Sequence, residues 1–343
     1  MPYANKINKA IRNLKKISSE EDLDFSQEIQ GLETKLSEIK KRKSGEWSDK
    51  KQQFSPWERV KLARTLERPK PQEYIDALLT DFIELQGDRL IGDDKAVKGG
   101  IGYLKEIPVT AISTFRGKEL KANMWSNFGM PHPEGYRKAL RLARQAEKFN
   151  RPVLFFVDTP GAFCGIEAEE RGIAEAIARN LYELSDLQVP TITVITGEGG
   201  SGGALALSVS NRLFMMENAI FSVISPEGCA SILFKDAAKA EEAAKSLRLT
   251  SYDLYELGVI DEIIPEHKEF NQKPDKTYHH LRDILYKHIK ELSAVQTEKL
   301  IDQRYHKYRN IGFYETSGQA TSFVATHSSS NLIGRFKHLF GIK

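Results

Sequence analysis

The sequence predicts an α/β protein with a parallel sheet linked by crossover helices and helical appendages at both ends. Three observations carry that expectation. Runs of buried-strand composition alternate with amphipathic stretches in units of about 30 residues, the spacing of a strand–helix–strand crossover. Glycine is concentrated centrally, with 18 of its 24 residues between Glu73 and Pro265, where tight turns or close backbone approach to a ligand would need it. The chain length, 343 residues, suits one large domain plus appendages.

Taken in order, Ile29, Leu32, Leu36 and Ile39 form one helical stripe at three- and four-residue spacing. That stripe fits a hairpin or coiled coil against a partner subunit, and equally a helix folded on its own body. Lys40–Lys51 reads as a polar linker. Gly100–Leu104 and Val109–Phe115 read as strands joined by a tight Lys105–Glu106 turn. Buried strands are expected at Val153–Val157, Thr191–Ile195 and Ile220–Ile224. Helices are expected at Pro133–Phe149, Ala168–Leu187, Ser201–Val209, Ala237–Leu247 and Ser251–Leu257, then Tyr278–Leu292 and Thr297–Tyr308. The resulting division is residues 1–53 as helical arm and linker, 54–265 as core, 266–315 as C-terminal helices and 316–343 as a flexible, Ser/Thr-rich tail.

Composition excludes several classes. With 40% apolar and 28% charged residues and mean hydropathy −0.44, a soluble cytoplasmic protein is expected. No apolar run approaches the ~18 residues of a membrane span, and the first residues lack an apolar signal-peptide centre. Net charge is +3, too slight to indicate nucleic acid. Through Thr80 there are 17 basic and 13 acidic residues, so the surplus lies away from the glycine-rich centre. Two cysteines, Cys164 and Cys229, make neither a disulfide framework nor a four-cysteine zinc site, and no metal is expected.

Two segments carry the chemistry. Asp158-Thr-Pro-Gly-Ala-Phe-Cys-Gly165 and Gly197-Glu-Gly-Gly-Ser-Gly-Gly-Ala-Leu-Ala206 each follow a strand and precede a helix. Free backbone N–H groups gather at such junctions, and two turns side by side can aim donors at one oxygen, an oxyanion hole. A phosphate-binding loop would need a lysine that neither segment has. Gly197–Gly202 matches a dinucleotide pattern literally, but its ribose-binding acid is represented only by Glu217. Gly199–Gly203 likewise matches a nucleophile elbow with Ser201 at its centre. No histidine stands in the expected strand-to-loop setting, so a small residue opening a glycine-packed helix is the simpler reading.

The same residues belong to a longer set. Trp57–Arg64, Gly87–Leu90, Asp93–Ala96, Asn127–Arg137, Asp158–Ala162, Ala168–Gly172, Gly197–Ala206, Ser225–Ile232 and Arg304–Arg309 occur in one order. The set resembles the family of bacterial acetyl-CoA carboxylase carboxyltransferase α subunits, within the crotonase (ClpP/enoyl-CoA hydratase) superfamily, over roughly residues 54–312. The resemblance implies a crotonase-like fold of repeated β-β-α units. It implies transfer of a carboxyl group from carboxybiotin, held on a biotin carboxyl carrier protein, to acetyl-CoA, giving malonyl-CoA for fatty acid synthesis. Charge develops on the biotin ureido oxygen and on the thioester oxygen, and each needs its own hole. The resemblance assigns the first to Gly202, Gly203 and Ala204, through backbone amides, with Gly161 and Ala162 lining the same pocket. It implies substrates rather than a covalently bound cofactor. It also implies a zinc-ribbon β subunit, a biotin carboxylase, an ATP-dependent complex and an α2β2 heterotetramer.

Two positions depart from the family pattern. Cys164 stands at a usual proline, and Ser113–Lys118 replaces a Gly-His-Gln-Lys-Gly-Arg-like segment. A self-contained hydratase or hydrolase using Glu167, Glu169 or Glu170 as base is the alternative enzyme, and a non-catalytic carboxylase subunit the alternative class. Arg137, Lys138, Arg141 and Arg144 share one helix and read as a solvated face or as attraction for coenzyme A phosphates.

Overall fold

A computed structural model describes residues 2–21, 24–26, 29–33, 36–37, 53–267 and 269–312. Ile39, the whole Lys40–Lys51 linker and the tail from Thr316 onward lie outside the described residues.

The arm begins with helix α1 (Pro2–Glu21). Its Ile7 and Ile11 bury against Leu36, with Ile29 and Leu32 packed alongside. The predicted stripe therefore meets α1 as a helical hairpin, joined on its polar side by Lys15 and Glu33 at 2.8 Å. This cluster is separate from the main core.

Two helices lead into the sheet. Helix α2 (Pro56–Arg64) starts with a capping box, in which Ser55 and Glu58 each bond the other's backbone N–H. Helix α3 (Pro71–Leu78) has proline in its first turn. Strands β1 (Thr80–Glu84), β2 (Val97–Leu104) and β3 (Ile107–Thr114) form an antiparallel meander. The Lys105–Glu106 turn joins β2 to β3, with Lys105 at φ +53°. Helix α4 (Leu120–Trp125) and helix α5 (Pro133–Lys148) follow, before β4 (Val153–Thr159).

The predicted helix at Ala168–Leu187 is two helices, α6 (Ile166–Glu170) and α7 (Ile173–Ser185), broken where Gly172 turns left-handed at φ +78°. Strand β5 (Thr191–Gly200) is longer than expected and carries the glycine run in its last residues. Helix α8 (Ser201–Leu205) is correspondingly short.

Beyond it come β6 (Arg212–Met216), β7 (Ile220–Ser222), α9 (Pro226–Phe234), α10 (Ala240–Leu247), α11 (Ser251–Leu257) and β8 (Glu262–Ile264). Strands β1, β6 and β8 are additions to the expected set. Helices α12 (Asp275–Ser293) and α13 (Thr297–Arg309) close the described chain.

The sheet order is β1-β2-β3-β4-β5-β6-β8, with β7 also paired to β5. All pairings from β3 onward are parallel. Strand β4 is buried at every residue and β5 at all but its last, as expected of a parallel strand covered on both faces. The C-terminal helices share the central core: Leu281, Leu285, Ile289 and Leu300 join the cluster that holds Phe155 and Val194. Arg304, fully buried, fixes α13 there by donating to the carbonyls of Leu184, Ser185, Leu187 and Val189 and to Asn211 Oδ1. Among the described residues, no helix is long and apolar enough to cross a membrane. No group of three or more His, Cys, Asp or Glu side chains there is placed to hold a metal ion.

Candidate active site

The parallel β4–β5 pair delivers both glycine-rich turns to the same end of the sheet. Thr159 is paired with Gly199 across the two strands. Past that point the turns pack backbone to backbone. A Cβ added at Gly200 would lie 2.0 Å from Pro160 O, and one at Gly203 would lie 2.4 Å from Ala162 N and 2.5 Å from the Gly161 carbonyl carbon. Real Cβ atoms do not approach that closely, so glycine is required at both places for one turn to seat on the other.

Sequence reasoning gave another cause for glycine here, clearance for a ligand oxygen. For Gly203 the geometry corrects that: the clearance is filled by the neighbouring turn. Gly202 is the open position, with only Ile177 Cγ2 at 3.9 Å from a hypothetical Cβ. Gly203 and Ala204 are buried and Gly202 is half-buried. The first amides of α8 lack intrahelical acceptors by construction. A cleft of about 260 Å³ opens beside them, lined by Ser201, Gly202, Leu205, Phe221, Val223 and Leu254. Its walls are predominantly apolar, so a charge entering it would depend strongly on the backbone donors.

The other turn is held from its own side. Thr159 Oγ1 accepts from Gly161 N at 3.1 Å and donates to Gly161 O at 2.8 Å. Gly161 takes φ +152°. Phe163 N donates to Pro131 O at 2.9 Å, and the His132 and Phe163 rings lie 4.2 Å apart by centroids. Ala162 is half-buried beside this contact. The structure thus brings all five expected residues, Gly161, Ala162, Gly202, Gly203 and Ala204, into one junction.

Ser201 is exposed and sits at φ +52°. Among the described residues its side chain has no hydrogen-bond partner, so nothing activates it as a nucleophile. Glu167, Glu169 and Glu170 are exposed on α6, and Glu167 lies 3.9 Å from Arg171. Ser225–Cys229 starts α9: Ser225 Oγ accepts from Gly228 N at 3.0 Å, and Pro226 is the first helical residue. Cys229 is buried and Cys164 exposed. In the divergent 113–118 segment, Ser113 is buried with its hydroxyl unpartnered, while Lys118 pairs with Glu73 on α3.

Several residues of the site escaped sequence reasoning. Tyr136, on α5, is fully buried with an unpartnered hydroxyl, and that oxygen would lie 2.9 Å from a Cβ at Gly203. Burial pushes its pKa well above the ordinary phenol range, so it is a neutral O–H beneath the junction. Near the end of β4, Asp158 Oδ1 accepts from Glu198 N at 2.9 Å, and Lys70 Nζ stands 3.9 Å from Asp158 Oδ2. Burial, with repulsion from Arg116 and Arg68 and against attraction to Asp158, lowers the Lys70 pKa.

Arg64 bridges β5 and α9 through Glu198 at 2.6 Å and Glu227 at 2.7 Å. Arg68, fully buried, donates to Thr196 O at 2.7 Å and pairs with Glu266 at 2.5 Å. Burial alone would raise the Glu266 carboxyl; the Arg68 charge and hydrogen bond hold it below the usual range. No single motif announces these contacts, because their partners are more than 100 residues apart in sequence.

Known proteins resemble this chain over most of its length. A family model described as "Acetyl co-enzyme A carboxylase carboxyltransferase-like" matches residues 3–312. The acetyl-coenzyme A carboxylase carboxyl transferase subunit alpha of Listeria monocytogenes serotype 4a is 50% identical over 311 residues, covering 89% of this chain and 94% of its own length. That of Anoxybacillus flavithermus is 49% identical over 319 residues, covering 93% and 96% respectively. Among solved structures, the transcarboxylase 12S superposes with TM-score 0.54 at 19% identity, over 66% of this chain and 44% of that one. A Pseudomonas malonate decarboxylase hetero-tetramer chain gives TM-score 0.55 at 18% identity, over 69% and 92%. At that identity the likeness is one of fold, the crotonase-like fold of carboxyltransferases.

Proposed function

The chain belongs to the family of acetyl-CoA carboxylase carboxyl transferase α subunits, a transferase component, and from that premise we propose how its two turns work. The chain is the half of the enzyme that receives the carboxyl donor, carboxybiotin on its carrier protein. A zinc-ribbon-bearing β subunit presents acetyl-CoA, and malonyl-CoA is the product, used in fatty acid synthesis. The working assembly is an α2β2 heterotetramer in the cytoplasm, coupled to the carrier protein and to an ATP-dependent biotin carboxylase. Biotin and acetyl-CoA act here as substrates, with no cofactor bound covalently to this chain.

The amides of Gly202, Gly203 and Ala204 are the donors that stabilise negative charge on the ureido oxygen as the carboxyl group leaves. Gly161 and Ala162 close the pocket from the other turn. Charge is stabilised by fixed dipoles in a largely apolar cleft, where they act more strongly than in water and need no reorganisation. No acidic side chain is required, since the released ureido nitrogen takes up the proton lost from the acetyl methyl group.

The observation that carries the reading is the fit of Gly203 onto the Gly161–Ala162 turn, which holds two sets of amides in one place. The exposed positions of Glu167, Glu169 and Glu170 give no support to a self-contained hydratase. The test is reconstitution: the chain, a β subunit, carboxylated carrier and acetyl-CoA are mixed and malonyl-CoA is measured. Formation that requires all four components is expected. Turnover of an acyl-CoA by the isolated chain, or no product from a well-folded complex, would overturn it.

A further inference from the structure

We propose that the cleft between α5, α7 and the loop after β1 is an anion site for the phosphate groups of a small phosphorylated ligand, with Arg89 and Arg141 as its main donors. The cleft encloses about 440 Å³, and Arg89, Arg137, Arg141, Arg144 and Arg179 line it together with Asp88. That volume lies within the range of small-molecule sites.

Three of the five arginines are already neutralised. Arg137 pairs with Asp88 at 2.9 Å and Glu134 at 3.1 Å. Arg144 pairs with Glu183, and Arg179 with Glu175 at 3.0 Å. Arg89 and Arg141 have no carboxylate partner among the described residues. Arg89 Nη1 donates to Gln86 O at 2.8 Å. Arg141 Nη2 donates to the same carbonyl at 3.3 Å, and its Nε to Gly87 O at 2.9 Å. Two cations thus converge on one backbone oxygen, and the carboxylates that attract Arg141, Asp88 and Asp93, are engaged by Arg137 and by Lys95 and Lys138. Burial first, then the Arg89 charge, holds the Arg141 pKa below an arginine's ordinary value. Each guanidinium has five N–H donors, and most of those on this pair remain unspent.

The loop is built to hold Arg89 in place. Asp88 is nearly buried, and its Oδ1 accepts from Leu90 N and Ile91 N at 2.9 Å and from Gly92 N at 3.0 Å. Arg89 itself sits at φ +68°, after Gly87 at φ +79°. A Cβ at Gly87 would stand 2.9 Å from Arg89 Nη1. A non-glycine residue kept in the left-handed region, braced by a buried aspartate, indicates that the arginine's position matters. Paired guanidinium forks suit the tetrahedral oxygens of phosphate better than a single carboxylate.

The site is distinct from the glycine junction. Ile177 of α7 faces Gly202, whereas Glu175 and Arg179 of the same helix line the cleft. One helix diameter, about 10 Å, separates the two, and the proposal does not depend on the carboxyl-transfer reading. The phosphate groups have two candidate sources, coenzyme A and a free nucleotide.

Calorimetric titration of the full chain with inorganic pyrophosphate tests the proposal, with displacement by coenzyme A and by ATP as its two arms. Wild-type protein should bind, more weakly as salt rises. Arg89→Gln and Arg141→Gln should each weaken binding by about tenfold, the loss of a charge-assisted donor. Arg144→Gln, whose charge is already paired, should stay within about threefold. Displacement by coenzyme A identifies that ester as the occupant, and displacement by ATP alone identifies a nucleotide. Arg89 is exposed, so its variant reads the site even where the Arg141 variant folds poorly; Arg89→Lys, which keeps charge but loses the fork, should fall between. No uptake by the wild type, equal uptake by Arg89→Gln, or displacement by neither ester overturns the proposal.

Discussion

The Cα of Gly203 and the amide of Ala162 are in such close contact that a methyl group on the former would stand 2.4 Å from the latter's nitrogen. Two crossover turns separated by 41 residues are thereby fused into one surface. The relationship separates effects on folding from effects on charge stabilisation.

Gly203→Ala is expected to force the turns apart and destabilise the chain by about 1–3 kcal/mol, the range for overpacking. Gly202→Ala meets only Ile177 at 3.9 Å and keeps its amide, so its stability should change by less than about 1 kcal/mol. Urea unfolding of both variants makes the comparison. Equal destabilisation would contradict the packing described.

Tyr136→Phe removes a buried hydroxyl that has no partner in the structure. Since no hydrogen bond is lost, stability should hold or rise by up to about 1 kcal/mol. A loss of several kcal/mol on thermal unfolding would mean that the hydroxyl is bonded within the folded protein.

Arg68→Met leaves Glu266 buried without its cation. Breaking a buried pair from one side typically costs about 3–5 kcal/mol, and the link from the α2–α3 connection to β5 should loosen with it. Denaturant midpoints for Arg68→Met and the Arg68→Met/Glu266→Gln pair are the measurement. The double variant should be the less damaged of the two.

Asp93 sets an acid limit. Burial raises its pKa, but hydrogen bonds from Lys138 and Lys95 and from Gly87 N outweigh that and bring it to about 2. A carboxyl depressed in the folded state binds fewer protons there than in the unfolded chain. Its contribution is complete above the unfolded value near 4 and disappears as pH falls toward about 2. After solvent screening the effect is on the order of 1 kcal/mol. Asp93→Asn should lower stability at pH 7 by that amount and flatten the loss between pH 4 and 2. An unchanged acid-unfolding profile would count against it.

Arg304→Met should cost about 3 kcal/mol or more, since it strips donors from a ring of buried carbonyls at once. Calorimetric unfolding of this variant checks it. A Tm within a degree or two of the wild type would show that α13 is not held through this side chain.

Much of this was legible in the sequence, and the exceptions have physical causes. Strand β4 and helix α5 could be read because both carry the periodicity of their environments along their whole length. Helix α11 was marked at its end by Gly258, left-handed at φ +74°. Strand β8 escaped because three residues are too few for a period. Strand β6 escaped because Arg212 opens it and two methionines close it.

Helix α9 was absent from the expected set although its signal was present: serine followed by proline is a helix start. The glycine junction was located correctly, but the reason for Gly203 was not, because which atom fills the space over a glycine depends on a turn elsewhere in the chain. The arginine cleft was legible only in part: Arg137, Arg141 and Arg144 could be placed on one helix, but not beside Arg89 and Arg179. Residues at 89, 141 and 179 meet only after the sheet has brought α5 and α7 together.

Strand β5 has a further consequence. It is hydrogen-bonded to β4, β6 and β7 along its length, and the amides that lead into α8 continue directly from it. Their opening cannot be local; it requires much of the central sheet to come apart. In heavy water, Val194–Glu198 should therefore be among the last backbone protons to exchange, at a rate set by global unfolding. The exposed β1 edge and the arm hairpin should have exchanged long before.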